Sequence, residues 1–182
     1  PYTTLFRSTF DDGPNPYATP QILDILKREN IKATFFLIGK WVEKYPELAR
    51  RIASEGHTIG GHTYSHGGES GKESWGDFKK GNDVIELTTG IKVRHVRVPQ
   101  FDYNKIDTNA FDGKKVARTQ ELTEGLLAED VSSGKLSVID CSINPNDWNV
   151  LVLSFLIKEY VLFRLHSGAI ICLHDGSEKE SE

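Results

Sequence analysis

Hydrophobic and polar positions are arranged along this chain in two distinct ways. Short continuous apolar runs, typical of strands buried on both faces, are interspersed with segments in which apolar residues recur at helical spacing. The predicted strands cover residues 5–10, 32–38, 57–61, 92–98, 137–143 and 169–173. Strands that alternate with helices favour parallel βα units, so the pattern predicts an α/β fold around a parallel sheet.

The predicted helices are marked by their ends as well as by their apolar faces. Thr19 followed by Pro20 is typical of a helix N-cap and first turn. A second helix over residues 46–55 ends at Gly56, a residue that commonly follows the last helical turn. Further helices are predicted over residues 73–87 and 116–130.

The most apolar segment of the chain, residues 149–165, raises the question of a membrane span. Lys158, Glu159 and Arg164 interrupt it, whereas a spanning helix needs about 20 consecutive predominantly apolar residues. We therefore predict an amphipathic-to-buried helix here and no transmembrane segment. Residues 103–115 fit neither the helical nor the strand pattern, and we expect them to form an inserted loop.

Composition narrows the class of protein further. With 182 residues, 38% apolar and 26% charged, the chain fits one soluble globular domain, which we expect to span residues 1–182 and to be truncated at both ends. A net charge of −4 without a basic cluster gives no footprint for nucleic acid or for an anionic membrane. Cys141 and Cys172 are too few for a disulfide framework, and their apolar surroundings predict that both are buried and inert.

Polar residues with chemical potential follow the predicted strands. In parallel α/β barrels, active sites are built at the carboxyl ends of the strands, where residues distant in sequence meet on one rim. Placements at five strand ends therefore predict one shared site. These residues are Asp11, Asp12, His62, Arg97, Asp147, Trp148 and His174.

Two of these segments carry the residue types of a hydrolytic metal centre. Asp11 and Asp12 end the first apolar run, and His62 and His66 lie four residues apart about fifty residues later. Catalytic zinc sites use three protein ligands from His and Asp or Glu and leave a position open for water. A further carboxylate nearby can take the proton of that water, so the two segments supply three ligands and a spare base.

Five ordered stretches of the chain resemble the motifs of one protein family. The stretches Thr-Phe-Asp-Asp-Gly-Pro, His-Thr-Tyr-Ser-His, Arg-Val-Pro, Asn-Pro-Asn-Asp-Trp and Leu-His-Asp look like those of the polysaccharide deacetylases, the NodB-homology domains of carbohydrate esterase family 4. The resemblance runs from residue 9 to residue 176. It implies a distorted (β/α) barrel, here incomplete at its C-terminus, and removal of acetyl groups from N-acetylated sugar polymers.

The resemblance also implies a divalent metal and its ligands. The ion is expected to be Zn²⁺, with Co²⁺ or another divalent ion as the alternative, held by Asp12, His62 and His66. Asp11 would be the general base for the attacking water, and Arg97 would orient it.

The remaining roles concern the leaving group and the substrate. His174 would be the general acid that protonates the sugar amine, and Asp147 would keep its imidazole charged, since a nearby carboxylate raises the pKa of histidine. The backbone N–H near Gln100 would contribute to binding the oxyanion. The residues expected against the substrate are Pro99, Gln100, Trp148 and Cys172.

Departures from the family pattern keep alternatives open. Gln100 and Phe101 stand where the family usually has Tyr-Gly, and Asn144 replaces an aspartate. We also expect the last helix and strand of the family fold to be missing. The favoured activity is N-deacetylation of chitin oligomers or peptidoglycan glycan. The alternatives are an O-acetyl esterase acting on xylan and a metal- or sugar-binding remnant without turnover. The expected partner is an acetylated polysaccharide, no protein partner is indicated, and the family's substrates suggest an extracellular or cell-surface location.

Overall fold

The computed structural model describes residues 6–66, 75–101, 135–149 and 151–176. Its strands are β1 (Phe6–Asp11), β2 (Thr34–Leu37), β3 (Thr58–Gly61), β4 (His95–Val96), β5 (Ser137–Val138) and β6 (Ala169–His174). Its helices are α1 (Ala18–Arg28), α2 (Gly39–Lys44), α3 (Pro46–Ser54), α4 (Trp75–Thr89) and α5 (Ser154–Arg164), with one 3₁₀ turn at Pro99–Phe101.

The six strands form one parallel sheet in the order β5-β4-β3-β2-β1-β6. The predicted α/β fold with parallel strands is therefore confirmed. The register aligns the carboxyl ends of the central strands, because Asp11 of β1 pairs with Phe36 of β2 and with His174 of β6. This alignment brings the polar residues that follow the strands to one edge of the sheet.

Residues 139–143 connect the two outer edges of this sheet. The N–H of Ile139 donates to the Val96 carbonyl at 2.8 Å, which continues the pairing of β5 with β4. Four residues later, Ile143 forms a parallel bridge with Ile171 on the free edge of β6. The sheet is therefore curled on itself into an incomplete barrel, as expected from the resemblance.

The central strand β2 is apolar on both faces, so helices must cover the face of the sheet that would otherwise meet solvent. Phe35, Phe36 and Leu37 are all fully buried, as predicted for a continuous apolar run with both faces covered. The core includes Leu23 and Leu26 from α1, and Ala49 and Ile52 from α3. Full burial of each large aliphatic or aromatic side chain contributes about 1.5–3 kcal/mol, so these contacts hold the helices against the sheet.

The start of α1 differs from the prediction. The helix begins at Ala18, and the Asn15 side-chain oxygen accepts hydrogen bonds from the N–H groups of Tyr17 and Ala18. The prediction that Thr19 caps the helix is therefore wrong, and Asn15 instead satisfies two N–H groups at the helix start through a turn that leads into it. Thr19 lies inside the helix and is fully buried.

Helix α5 is not the buried helix that the apolar segment predicts. None of its residues is buried, and Phe163 is 89% exposed. Val161 and Leu165 pack against the small cluster on β6, but apolar side chains occur on every side of the helix and one contact face cannot cover them all. Among the described helices, none combines the length and the apolar character that a membrane crossing requires.

Other differences concern the extent of elements. Helix α2 was not predicted, and β4 and β5 have two residues each where longer strands were expected. The predicted loop at residues 103–115 and the predicted helix at residues 116–130 lie outside the described residues.

A substitution at Gly81 tests the contact between α4 and the chain after β3. A Cβ added at Gly81 would lie 2.5 Å from the Thr63 carbonyl oxygen and 2.9 Å from the Tyr64 nitrogen, both backbone atoms. We expect Gly81→Ala to destabilise the fold by about 1–3 kcal/mol despite the better helix propensity of alanine, because the backbone must move. Urea unfolding followed by circular dichroism measures this change.

Gly76 in the first turn of the same helix is the matched control, because it is exposed. Gly76→Ala is expected to gain up to about 1 kcal/mol from propensity alone. If both substitutions changed the free energy of unfolding equally, the close contact of Gly81 with the Thr63 and Tyr64 backbone would not require glycine.

Candidate active site

The carboxyl ends of the parallel strands carry a cluster of buried polar residues. Asp11 ends β1 and His174 ends β6, and the two lie in register on neighbouring strands. His62 follows β3, and Arg97 follows β4. The sheet thus brings together residues that are more than 160 positions apart in sequence.

Arg97 and Asp11 form a buried ion pair at the centre of this cluster. Arg97 Nη1 donates to Asp11 Oδ1 at 2.8 Å, and the side chains are 0% and 3% exposed. The same Nη1 donates to Thr9 Oγ1 at 2.6 Å, and that hydroxyl donates to the Ile171 carbonyl at 2.8 Å. The Phe36 ring lies 4.2 Å from the guanidinium carbon. Asp11 is therefore held in one orientation from its strand and from across the sheet.

The second oxygen of Asp11 faces a thiol. Cys172 Sγ donates to Asp11 Oδ2 at 3.3 Å. An ionised carboxylate has about four lone-pair sites. The hydrogen bonds from Arg97 and Cys172 occupy two of them, so Asp11 can still accept a proton from water.

Asp12, His62 and His66 converge on one point beside this pair. The Nε2 atoms of His62 and His66 lie 3.3 Å and 3.2 Å from Asp12 Oδ1. One ligand atom from each residue lies within 4.8 Å of the other two. Burial alone would raise the pKa of Asp12, but the contacts with His62 and His66 hold it far below its usual range, so the carboxyl is ionised at neutral pH.

The protonation of His62 indicates what this point can hold. His62 Nδ1 lies 2.8 Å from the Arg97 carbonyl oxygen, which can only accept, so Nδ1 carries the proton. When the imidazole is neutral, Nε2 therefore carries a lone pair, and it faces Asp12 Oδ1 at 3.3 Å. Electron-pair donors that face one another without a shared proton fit a cation, and two imidazoles with one carboxylate are a donor set that zinc uses.

The loop that carries the two histidines has a strained backbone. Thr63 and His66 have φ values of 65° and 58°, in the left-handed region that non-glycine residues rarely adopt. The Asp77 carboxylate accepts hydrogen bonds from the N–H groups of Tyr64 and Ser65, and Thr63 Oγ1 accepts from the His66 N–H at 2.9 Å. Asp77 was not predicted as a site residue, because its contact depends on how α4 packs against this loop.

His174 and Asp147 form a second charge pair. His174 Nδ1 lies 2.7 Å from Asp147 Oδ1, and the His174 N–H donates to Asp147 Oδ2 at 2.9 Å. Burial lowers the pKa of His174, but the bond to Asp147 and the charges of Asp12, Asp147 and Asp11 outweigh burial and raise it above the ordinary value of 6.5. The second ring nitrogen, Nε2, is left for other partners.

The residues predicted to line the substrate pocket differ in how far they are buried. Cys172 is buried against Asp11, and Pro99 is buried two residues after Arg97. Gln100 is exposed, with a φ of 56°. Trp148 is 61% exposed beside Asp147, which leaves its ring open to solvent.

The two cysteines differ from each other. Cys172 is buried as predicted, but Cys141 is only half-buried, so the prediction of two buried, inert thiols is wrong for Cys141. The reason is that β5 ends at Val138, and Cys141 lies in the segment beyond the strand rather than inside it.

Asp175 is a buried carboxyl that the sequence did not single out for the site. Its Oδ2 accepts from Thr19 Oγ1 at 2.5 Å, its N–H donates to the Asp11 carbonyl at 3.0 Å, and its Oδ1 is buried without a partner. Burial raises the pKa of Asp175 to about 7, with the charges of Asp12 and Asp11 adding to the effect. Asp175 therefore joins the end of β6 to α1 and to the turn that carries the two aspartates.

The sequence and the fold of this chain are similar to those of known proteins. The family model described as polysaccharide deacetylase matches residues 5–113. A chitooligosaccharide deacetylase from Bradyrhizobium sp. (strain ANU 289) is 33% identical over 175 residues, which is 92% of this chain and 69% of the relative. The solved structure of the Bc1960 peptidoglycan N-acetylglucosamine deacetylase has a TM-score of 0.75 and 30% identity, with 98% of this chain and 75% of that chain covered.

A third comparison limits what the fold alone can say. A pseudoenzyme of carbohydrate esterase family 4 from Bacillus anthracis has a TM-score of 0.74 and 24% identity, with 97% of this chain and 57% of that chain covered. This similarity concerns the fold only. Activity therefore depends on the side chains of the site and not on the fold alone.

The raised pKa of Asp175 predicts a specific pH dependence of stability. Between pH 3.8, the ordinary value, and about 7 the folded state holds a proton on Asp175 that the unfolded state releases, so stability falls as pH rises through this range. At about 1.4 kcal/mol per pH unit, the loss is about 4 kcal/mol. We expect Asp175→Asn to remove most of this dependence, measured by urea unfolding at pH 5 and pH 8 with a chelator present.

Asp83→Asn is the control, because Asp83 is exposed on α4. The prediction would be contradicted if Asp175→Asn lost as much stability between pH 5 and pH 8 as the parent protein and the control do.

Proposed function

The chain belongs to the polysaccharide deacetylase family, and we propose that it is a metal-dependent hydrolase that removes acetyl groups from N-acetylated sugar polymers. The observation that carries the proposal is the convergence of Asp12, His62 and His66 beside two further groups with complementary proton chemistry, Asp11 and His174. This is the arrangement that amide hydrolysis needs: a polarised water, a base to deprotonate it and an acid for the leaving amine.

The proposed substrates are oligomers or polymers of N-acetylglucosamine. Similar proteins are named for chitooligosaccharides and for peptidoglycan N-acetylglucosamine, and both contain this sugar. These names favour an N-acetyl substrate over the O-acetyl groups of xylan. Because such polymers lie outside the cytoplasm, we also propose an extracellular or cell-surface site of action.

The proposed metal ligands are Asp12 Oδ1 and the Nε2 atoms of His62 and His66. A divalent cation bound there, with zinc the first choice and cobalt the alternative, would lower the pKa of a water and polarise the acetyl carbonyl. The tautomer of His62 is already set for this role by the Arg97 carbonyl, which is the usual arrangement for a histidine that binds metal through Nε2.

Asp11 is the proposed general base. As water attacks the acetyl carbon, its proton passes to the Asp11 carboxylate. Arg97 keeps Oδ1 of this carboxylate in place at 2.8 Å, so the orientation does not have to be found during the reaction. The burial of both side chains excludes bulk water from the pair, which strengthens their interaction.

His174 is the proposed general acid. The C–N bond of the amide breaks as Nε2 of the imidazolium donates its proton to the leaving sugar amine. Asp147 accepts from Nδ1 at 2.7 Å and favours the charged ring, which must be protonated before this step. A ring nitrogen of His174 lies within 4.8 Å of a carboxylate oxygen of Asp11, so the acid and the base are close to each other.

The first test is acetate release from N-acetylglucosamine oligomers and from acetylxylan, with zinc and with a chelator. We expect zinc-dependent release from the oligomers. Asp11→Asn should lower the rate by about 100-fold or more, because general-base catalysis contributes at least that factor and the amide cannot take the proton. An enzymatic assay for free acetate measures the rates.

Asp83→Asn is again the matched control and should keep the full rate. Zinc titration by calorimetry is run beside the assay with Asp12→Ala, which should lose zinc binding. Release from acetylxylan alone would assign an esterase instead. No release from protein that is folded and binds zinc would assign a remnant that binds without turnover.

The pH profile of the reaction tests the acid separately. Activity should fall on the alkaline side as His174 loses its proton, and Asp147 holds that pKa above its ordinary value. Asp147→Asn removes the negative charge, so the alkaline limb of kcat/KM should move to lower pH and the rate loss should be larger at pH 8 than at pH 6. An equal loss at every pH would contradict this role of Asp147.

A further inference from the structure

A second group of potential metal ligands lies beside the proposed catalytic metal site. Asp11, Cys172 and His174 each offer one ligand atom, and these atoms all lie within 4.8 Å of one another. The group shares no residue with the catalytic metal site. It is also built on strands rather than on a loop, because Asp11 ends β1 and the other two residues lie in β6.

The sheet places these three side chains on one face. Asp11 and His174 are register partners on neighbouring parallel strands. Cys172 precedes His174 by two residues, and residues two apart along a strand point to the same side of a sheet. The thiol and the imidazole therefore lie on the same side of β6, next to the carboxylate that ends β1.

The distance between the sulfur and the carboxylate suits a tetrahedral ion. Cys172 Sγ lies 3.3 Å from Asp11 Oδ2. With bonds of about 2.3 Å to sulfur and about 2.0 Å to oxygen, a tetrahedral zinc separates two such ligand atoms by roughly 3.5 Å. An ion bound between them therefore requires little movement of either strand.

Other contacts leave one ligand atom available on each partner of the thiol. Arg97 holds Asp11 Oδ1 at 2.8 Å, which leaves Oδ2 for an ion. Asp147 holds His174 Nδ1 at 2.7 Å, as outer carboxylates do for histidines that bind a metal, which leaves Nε2. The thiol proton and, when the ring is charged, the Nε2 proton pass to solvent as the ion binds.

The charges around the group match those of a divalent ion. With Cys172 as a thiolate, its negative charge adds to those of Asp11 and Asp147, and Arg97 contributes a positive charge. These four groups have a net charge of −2, which one divalent cation neutralises. Two protons must leave, however, and a cation at the catalytic site opposes a second one nearby. We therefore expect weaker binding here than at the catalytic site.

We propose that Asp11, Cys172 and His174 form a second, inhibitory site for thiophilic divalent cations such as Zn²⁺, Co²⁺ and Cd²⁺. A thiolate selects these ions over Mg²⁺ and Ca²⁺, which prefer oxygen ligands. The binding of the ion stands on the geometry of the three residues. The inhibition rests on the proposed function, because the ion would occupy the proposed base and the proposed acid.

An ion at this second site would remove both proton-transfer groups at once. A carboxylate of Asp11 that binds the ion through Oδ2 loses its basicity toward water. His174 that binds it through Nε2 has no proton there for the leaving amine. Loss of one such group lowers a rate by about 100-fold or more, so a cation that activates the enzyme at one equivalent should inhibit it in excess.

The first experiment titrates the metal-free chain with Co²⁺ and records its absorption spectrum. The first equivalent meets only nitrogen and oxygen ligands at the catalytic site and should give no thiolate-to-cobalt charge-transfer band. Further Co²⁺ should produce that band in the near ultraviolet, and added Mg²⁺ should not abolish it.

The variants identify the sulfur that binds. Cys172→Ser removes the sulfur but keeps a hydroxyl that can donate to Asp11, and it should lose the charge-transfer band. Cys172→Ala, which offers no ligand atom, is the second variant and should lose the band as well. Cys141→Ser is the matched control and should keep it, because Cys141 is a free thiol outside the group.

The second experiment measures acetate release at one equivalent of zinc and at a large excess. Each rate is compared with the rate of the same protein at one equivalent. The parent protein and Cys141→Ser should lose about tenfold or more in excess zinc, because base and acid are both occupied. Cys172→Ser and Cys172→Ala should lose most of this inhibition, and excess Mg²⁺ should not inhibit the parent protein.

Three outcomes would overturn the proposal. Excess Co²⁺ could give no thiolate band in the parent protein, the band could persist in both Cys172 variants, or excess zinc could inhibit those variants as strongly as the parent protein. The cobalt spectrum decides on the second site even if the chain releases no acetate at any zinc concentration, which would instead count against the proposed function.

Discussion

The buried guanidinium of Arg97 connects the separate parts of the site. Its side chain donates to Thr9 and Asp11 on β1 and to two carbonyls of the segment that closes the barrel, while its own carbonyl fixes the tautomer of His62. An unpaired buried charge costs several kcal/mol, so a fully enclosed arginine requires these partners to be in place together. The base, one metal ligand and the closing segment are therefore positioned by the same residue.

Much of the site could be predicted because strand ends determine where side chains meet. Apolar runs predicted the parallel strands, and the register of β1 with β6 then brings Asp11 next to His174 without any help from loops. The same reasoning applies to Arg97, which follows β4. These positions depend on the period and length of local sequence, which a single chain displays directly.

The residues that escaped prediction depend on contacts between loops and helices. Asp77 supports the histidine loop from α4, and Thr19 reaches Asp175 across 156 positions of sequence. Neither pair has a local pattern, because the contact exists only after α1 and α4 have packed. Helix α5 shows the opposite error, since its apolar composition indicated burial while only part of its surface has a partner among the described residues.

The arrangement of charges explains why the Asp12 site suits a cation. Arg97 balances Asp11, and a protonated His174 balances Asp147, so each of these pairs is neutral as a unit. Asp12 remains ionised, and its histidine neighbours include His62, whose proton is committed to a backbone carbonyl. The left-handed backbone at Asp12, with a φ of 76°, turns this carboxylate away from the strand and toward those imidazoles. Strain of this kind persists only where the surroundings enforce it, and here they hold one carboxylate and two imidazoles around one point, a donor set that suits a divalent cation.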